Sequence, residues 1–406
     1  MVFTVMNQMF CRIFQTGMKL GMYFLPWRVP QLLEGPGSVE KLPALIRQQG
    51  CHKILICTGT YLLSHGVLDP LFRALEAEGV AYILHDRIPA NPSDEDVERG
   101  VAIYRQNGCD SLLAFGGGSP MDACKAVAAR ITRPRKSVTQ LQGLIKVVKK
   151  TPPVFAVPTT SGTGSETTIA AVITEAKTHH KASINDPRLI PAFAVLDPNL
   201  TLSLPPRTTA ETGLDALCHA VEAYTNNTYN TPLEKDMAEK SVRLIYENLY
   251  TAYCHGDNIT ARQNMQLAAF YAGRAFTRGC VGYVHAVGHT LGGLYGLPHG
   301  RAMGILLPHV MRLYGGAAQE RLARLAEVCG LTGVDDAAKA DAFLCWIEQL
   351  KEAMQIPRFL DPIRPEDEAQ IIAWAMKEAN PLYPTPVTWN EPEFKKALKV
   401  FQGIEA

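Results

Sequence analysis

A chain of 406 residues with 47% hydrophobic composition is long enough for two domains, each burying its own core without disulfides or structural metals. Its 40 basic and 39 acidic side chains nearly cancel, so no sustained positive field exists to hold nucleic acid or an anionic membrane surface. Ten cysteines are scattered from Cys11 to Cys345 without a CxxC pair, which excludes a zinc ribbon and a disulfide scaffold and reads as reduced thiols in a cytoplasmic protein.

Residues 1–30 read as an apolar arm. From Met9 to Trp27 the chain mixes Met, Phe, Leu and Tyr, with Arg12 and Lys19 as the only charges. It has neither the clean apolar core nor the small-residue cleavage site of a secretory signal. Gln15, Gly17 and Gly21 join the two charges in breaking it short of the roughly twenty apolar residues of a membrane span. A packing or oligomer-contact arm is the remaining expectation, and with it a homo-oligomer of two or more subunits.

Residues 31–204 read as an α/β domain. Short apolar or β-branched runs at Lys53–Thr58, Val80–Leu84, Ser111–Phe115, Val154–Val157 and Phe193–Leu196 alternate with helical stretches. Runs that are apolar throughout suit strands covered on both faces by helices, so a parallel, doubly wound sheet is expected. Helices over Leu68–Glu78 and Asp94–Asn107 supply crossovers, the second opening behind Ser93 as N-cap.

The strand ending at Phe115 runs into Gly116-Gly117-Gly118-Ser119-Pro120-Met121-Asp122 and then a helix over Ala123–Arg130. Glycines admit a ligand close to the backbone, and a helix N-terminus offers unpaired N–H groups with a partial positive charge. That combination seats a pyrophosphate, although a ligand-free tight turn has the same signature. After Val154–Val157 comes Pro158-Thr159-Thr160-Ser161-Gly162-Thr163-Gly164-Ser165-Glu166, whose hydroxyls and N–H groups suit phosphate and ribose oxygens. Two such loops at the carboxyl ends of strands in one open sheet predict a dinucleotide crevice.

At Pro205-Pro206 the texture changes, and residues 205–406 read as helices separated by Gly, Pro and Asn, without strands. Thr208 and Glu211 fit a capping box. The helix they open carries Asp215 and His219, four apart and hence on one face, beside an apolar stripe of Leu214, Leu217 and Val221. His285 and His289 repeat that spacing, and His299 follows in Pro298-His299-Gly300. One carboxylate with two or three imidazoles and no thiolate suits Fe2+ or Zn2+ with a position left open for substrate, which means catalysis. Taken singly, each histidine fits a hydrogen-bonded structural role as well.

In order and spacing, Gly116–Asp122, Pro158–Glu166, Ile184–Pro198, Gly213–Tyr224 and His285–Gly300 resemble the iron-containing, or group III, alcohol dehydrogenases, from Leu32 to the end of the chain. The resemblance implies an N-terminal Rossmann-like domain, an all-helical C-terminal domain in a dehydroquinate synthase-like architecture, and one metal in the cleft between them. It implies Asp215, His219, His285 and His299 as metal ligands and His289 as a proton relay near the nicotinamide. The implied cofactor contacts are Gly59 after the first strand, Gly117, Gly118, Ser119 and Asp122, then Thr159, Thr160, Thr163 and Ser165, with Lys181 near the ribose. The implied activity is hydride transfer between NAD(P)(H) and a small primary alcohol or aldehyde. Phe270, Phe276 and Tyr283 are candidates for the substrate lining.

One departure bears on the cofactor. NAD-preferring members of that family often carry an Asp after the first strand, which binds the adenosine ribose and repels a 2′-phosphate; here the stretch is Thr58-Gly59-Thr60, so NADP(H) is expected to be accepted. Competing readings are a glycerol- or polyol-type dehydrogenase, a dehydroquinate-synthase-like lyase, a metal-dependent phosphohydrolase, and a nucleotide-binding module with a structural metal. The phosphohydrolase would need a His-Asp dipeptide within a helix, and His85-Asp86 follows a strand instead.

Overall fold

The computed structural model describes residues 2–177 and 181–404, with side chains from residue 8 onward. It divides into two compact units: Pro26–Leu204 with Asp257–Gln266, and the remainder, which joins the N-terminal residues up to Leu25 to Pro205–Gly256 and the chain from Leu267 onward.

The first unit is built on strands β1 (Gln31–Glu34), β2 (Lys53–Cys57), β3 (Ala81–His85), β4 (Ser111–Gly116), β6 (Val154–Pro158) and β9 (Phe193–Leu196). They form one sheet in the order β1-β9-β6-β4-β2-β3, with every pairing parallel. Neighbouring residues along each central strand enter two different cores. Leu55, Cys57, Leu112, Ala114 and Ala156 pack with Ala123 and Val127 on one face. Ile54, Ile56, Leu113, Phe115, Phe155 and Val157 pack with Leu42, Ile46, Leu71 and Leu75 on the other. Burial on both faces is why these strands are apolar throughout.

Strand β3 lies on one side of β2, and β4 and β6 continue on the other. The direction of winding thus reverses at β2, and the loops after β2, β4 and β6 emerge from adjacent strand ends at the switch point, where such sheets bind their ligands. The helix Asp94–Gln106 opens with Ser93 in a reciprocal capping box with Asp96. The helix expected from Ala123 begins at Gly118 instead and runs to Thr132, because Pro120 falls in the first turn, where proline costs no hydrogen bond.

Two features differ from the sequence reading. Strand β1 escaped it, being a four-residue edge strand with polar ends. So did a second sheet, in which β7 (Ala170–Thr174) pairs antiparallel with β8 (Lys181–Asn185) and β5 (Gly143–Leu144) adds to β8.

The second unit is helical, with no strand among its described residues. Its helix Pro206–Thr225 has Pro205 as N-cap and no side-chain cap bond, which corrects the Thr208–Glu211 capping box. Proline at the first helical position carries a preset φ and opens the helix early, so Thr208 and Glu211 lie inside it. There the Thr208 carbonyl accepts from Thr212 Oγ1 at 2.8 Å, and Glu211 pairs with Arg207 at 3.0 Å.

The N-terminal residues form a helix, Val2–Met22. Cys11, Gln15 and Met22 are buried. Arg12 Nη2 donates to the Thr385 carbonyl at 2.8 Å, and Gln15 Nε2 donates to the carbonyls of Pro381 at 3.0 Å and Tyr383 at 2.9 Å. Phe10, Ile13 and Leu20 are exposed, as is Phe24 beyond the helix. Among the described residues no helix is long and apolar enough to cross a membrane.

Candidate functional site

Strand β4 ends on Gly116 at φ 147°, a conformation side chains rarely adopt, and a Cβ there would lie 2.7 Å from Pro120 Cγ. The helix that follows has Gly117 as N-cap and no side-chain cap, so its first N–H groups are left to a ligand or solvent. A Cβ on Gly117 would sit 3.3 Å from Thr160 Oγ1, and one on Gly118 would sit 3.0 Å from Thr163 Cγ2. The glycine and threonine loops therefore touch, and any side chain at 117 or 118 would crowd the cradle they form.

Several polar atoms of these loops are occupied by one another. Ser165 Oγ donates to Asp122 Oδ1 and accepts from Lys125 Nζ, both at 2.8 Å. Asp122 Oδ2 accepts from the Val172 N–H at 3.1 Å. Lys125, buried at 1% exposure, also donates to Thr168 Oγ1 at 3.0 Å and the Ala170 carbonyl at 3.0 Å. Burial pushes its ammonium down to about 8, against the pull of Asp122 and Glu166. Lys125 thus ties the glycine-loop helix to the threonine loop. Sequence reasoning passed over it, although it stands one turn from Asp122. Ser119 Oγ donates to the Ala90 carbonyl, and Thr163 Oγ1 accepts from the Ser165 N–H at 3.3 Å. Thr159 is buried, with its N–H on the Gly116 carbonyl at 3.1 Å. Gly59 links β2 to the short helix Thr60–Ser64, and Lys181 begins β8.

In the helical unit, Asp215, His219 and Glu222 recur at i, i+4 and i+7 on the buried face of Pro206–Thr225. Helix Tyr283–Tyr295 supplies His285 and His289, and His299 opens helix His299–Tyr314. Asp215 Oδ1 lies 3.2 Å from His299 Nε2 and 3.9 Å from both His285 Nε2 and His219 Nδ1. One ligand atom each from Asp215, His285 and His299 falls within 4.8 Å of the others. His219 borders that set, its ring stacked on Phe276 at 4.1 Å and on His285 at 4.5 Å.

Asp215 Oδ1, His219 Nδ1 and His285 Nε2 are buried, and none makes a well-formed hydrogen bond. Three converging buried polar atoms without hydrogen-bond partners are costly unless a cation satisfies them, so the residues fit a divalent metal. The electrostatics agree. Burial would raise the Asp215 carboxyl, but His219, His299 and His285 outweigh it and hold the group below the usual carboxylate range. Burial drives His219 down to about 3 against Asp215 and, with His299 and His289, drives His285 well below the ordinary imidazole value. Asp215 is thus held ionised while His219 and His285 are held neutral, the protonation state metal ligands require.

Glu222 is the functional side chain that sequence reasoning missed in this helix. Its Oε2 lies 2.6 Å from His285 Nδ1, and its Oε1 accepts from the Val284 N–H at 2.8 Å. The i+7 spacing from Asp215 was the available signal. His289 stands beside the set, its ring stacked on His299 at 5.2 Å and its Nδ1 2.7 Å from Glu378 Oε1. Among the candidate lining residues, Phe276 is at the site and Phe270 is buried, edge-on to Tyr271. Tyr283 is a core residue instead: its ring stacks on Trp389 at 4.5 Å, and its hydroxyl donates to Asn380 Oδ1 and accepts from the Trp389 N–H.

Residues 30–198 match the iron-containing alcohol dehydrogenase family, and residues 209–400 match the family described as Fe-containing alcohol dehydrogenase family, C-terminal. The chain belongs to the iron-containing alcohol dehydrogenase family. It is 35% identical over 365 residues to the 1,3-propanediol dehydrogenase of Klebsiella pneumoniae, covering 88% of this chain and 94% of that one. It is 35% identical over 337 residues to the NAD-dependent methanol dehydrogenase of Bacillus methanolicus, covering 82% and 87%. The solved alcohol dehydrogenase from Oenococcus oeni superposes with a TM-score of 0.89 at 32% identity, covering 93% of this chain and all of that one. As an iron-type alcohol dehydrogenase, the chain is an oxidoreductase that works with a metal and a nicotinamide cofactor. The phosphohydrolase reading falls away.

Proposed function

We propose that this enzyme interconverts small primary alcohols and their aldehydes, using NAD(P)(H) and a divalent ion, Fe2+ or Zn2+, held by Asp215, His219, His285 and His299. The observation that carries the reading is the convergence of three buried, hydrogen-bond-orphaned atoms around Asp215. When bound, the ion supplies Lewis-acid polarisation of the substrate oxygen, and the nicotinamide supplies or accepts the hydride. Asp215 neutralises part of the ionic charge, and the imidazoles hold the ion through neutral nitrogens. His289, beside the ligand set, is the group that takes or returns the substrate proton. Phe276 covers His219 and keeps water from that side.

Residues 31–204 are read as the dinucleotide-binding domain, 205–406 as the metal-binding domain and 1–30 as the arm. Gly117, Gly118 and the N–H groups behind them seat the pyrophosphate; Thr159, Thr160 and Thr163 line the adjoining loop, and Lys181 serves the ribose. Ser119, Asp122 and Ser165, whose polar atoms have partners within the protein, hold these loops in shape. The stretch Thr58-Gly59-Thr60 carries no carboxylate, which supports use of NADP(H) as well as NAD(H). Ten unpaired cysteines support a cytoplasmic location, and the exposed Phe10, Ile13 and Leu20 support a homo-oligomer contact.

Purified protein is tested for bound metal and for aldehyde-dependent oxidation of NADH and NADPH over C2 to C6 substrates. The expected result is one divalent ion per chain and turnover that chelation abolishes and Fe2+ or Zn2+ restores. Turnover unaffected by removal of the ion overturns the proposal.

A further inference from the structure

One carboxylate oxygen behind His289 receives two contacts. Glu378 Oε1 lies 2.7 Å from His289 Nδ1 and accepts from the Tyr383 hydroxyl at 2.9 Å. Burial and the adjacent Glu378 push the Tyr383 phenol well above its ordinary value, so it remains a neutral donor. Because Oε1 already accepts from the Tyr383 hydroxyl, it stands as an acceptor toward His289 as well. An ionised carboxylate only accepts, so the proton between it and His289 belongs to the imidazole Nδ1. With the proton on Nδ1, Nε2 is the acceptor nitrogen of the ring, since the bond made by one nitrogen fixes the tautomer of the other.

The support is rigid on both sides. Glu378 sits in the last turn of helix Glu368–Ala379. Tyr383 is tied back by its N–H to the Ala379 carbonyl at 2.6 Å, and its own carbonyl accepts from Gln15 Nε2 at 2.9 Å. His289 is 36% exposed at its side chain, whereas His285 is 3% exposed. An imidazole this open needs an external partner to hold one orientation, and Glu378 with Tyr383 provides it.

We infer that Glu378, backed by Tyr383, is a positioning residue that locks His289 in the Nδ1–H tautomer and leaves Nε2 as its proton-accepting atom. The inference rests on the proposed relay role of His289. In alcohol oxidation the substrate O–H bond breaks as an Nε2–H bond forms and the electron pair stays on oxygen to make the carbonyl; a bound oxidised nicotinamide would accept the hydride that carbon gives up. Glu378 takes no proton in this step.

The test uses Glu378→Gln, Glu378→Asp and Tyr383→Phe in otherwise intact protein, alone and combined with His289→Ala. Nitrogen-15 imidazole spectra, with His289 assigned by its loss in His289→Ala, should show Nδ1–H in the wild type. They should show a changed or mixed tautomer in Glu378→Gln, whose amide can donate to Nδ1. Glu378→Gln should lower kcat by at least about tenfold, the scale on which one proton-transfer group acts, with KM and metal content unchanged. Glu378→Asp should recover part of the loss, Tyr383→Phe should lose less, and Glu378→Gln should add nothing to His289→Ala. An unchanged tautomer in Glu378→Gln overturns the inference, as does loss of metal from that variant. If His289→Ala turns over normally, the relay reading fails, while the tautomer measurement still decides whether Glu378 sets the ring.

Discussion

Glu222 Oε2 and His285 Nδ1 stand 2.6 Å apart with both side chains at most 3% exposed, so the nitrogen of His285 that faces away from Asp215 is held by a buried carboxylate. Burial pushes the Glu222 carboxyl up to about 7, while the N–H groups behind it pull the other way. Outer partners of this kind typically change metal affinity by about 10- to 100-fold when removed. Glu222→Ala is expected to weaken metal retention on that scale and Glu222→Gln to weaken it less, read by metal content after dialysis against graded chelator.

The two histidines of helix Tyr283–Tyr295 should part company on substitution. His285→Ala removes a donor from the converging set and is expected to abolish both metal retention and turnover. His289→Ala should keep the metal and slow turnover by about 10²- to 10⁴-fold, the usual contribution of a positioned acid or base. Metal analysis alongside steady-state rates separates them, and a His289→Ala protein that emerges metal-free contradicts the division of roles.

Glu166 is buried beside Lys125, and burial pushes its carboxyl from the ordinary 4.5 up to about 7 against its own backbone N–H and Lys125. Between those values the folded chain holds a proton that the unfolded chain has released. The contribution of Glu166 to folding stability is therefore fullest below pH 4.5 and is lost as pH rises through 7. Glu166→Gln removes this part of the pH dependence. The variant should match the wild type near pH 4.5 and exceed it by about 1–3 kcal/mol at pH 8, as measured by denaturant midpoints at the two pH values.

Two glycines of the helical unit should respond differently to alanine. A Cβ at Gly300 would run into the backbone carbonyl of Glu211, whereas one at Gly288 would meet the terminal methyl of Met303. A carbonyl within a helix cannot step aside, but a methionine side chain can. Gly300→Ala is expected to cost about 1–3 kcal/mol and to loosen the metal, since His299 is its immediate neighbour. Gly288→Ala should stay within about 1 kcal/mol of the wild type. Thermal melts with and without added metal distinguish the two.

The central strands were legible because burial on both faces forces their residues to be apolar without interruption, and Phe193–Leu196 matches the observed strand end to end. The edge strand β1 and the sheet of β5, β7 and β8 were not, because short, partly exposed strands share their composition with loops. Asp215, His219 and the His285/His289 pair were legible from four-residue spacing alone. Glu222 lay in the same pattern one turn on and went unassigned, because a lone carboxylate on a helix is usually solvated. Glu378 had no local signal at all: 89 positions separate it from His289, and only the packing of two helices brings them together. Thr208 and Glu211 show the opposite error, a local motif overridden by the proline two residues upstream.

The helix Val2–Met22 grips the segment after Glu378 through main-chain acceptors, among them the Thr385 carbonyl held by Arg12 and the Tyr383 carbonyl held by Gln15. Because these bonds fall on backbone, the grip follows the path of the segment, and the helix cannot be shed at no cost. Trimming by a protease, or a bulky fusion joined close to Arg12, would slacken the phenol that braces Glu378 and be felt as a catalytic defect far along the chain from the cut.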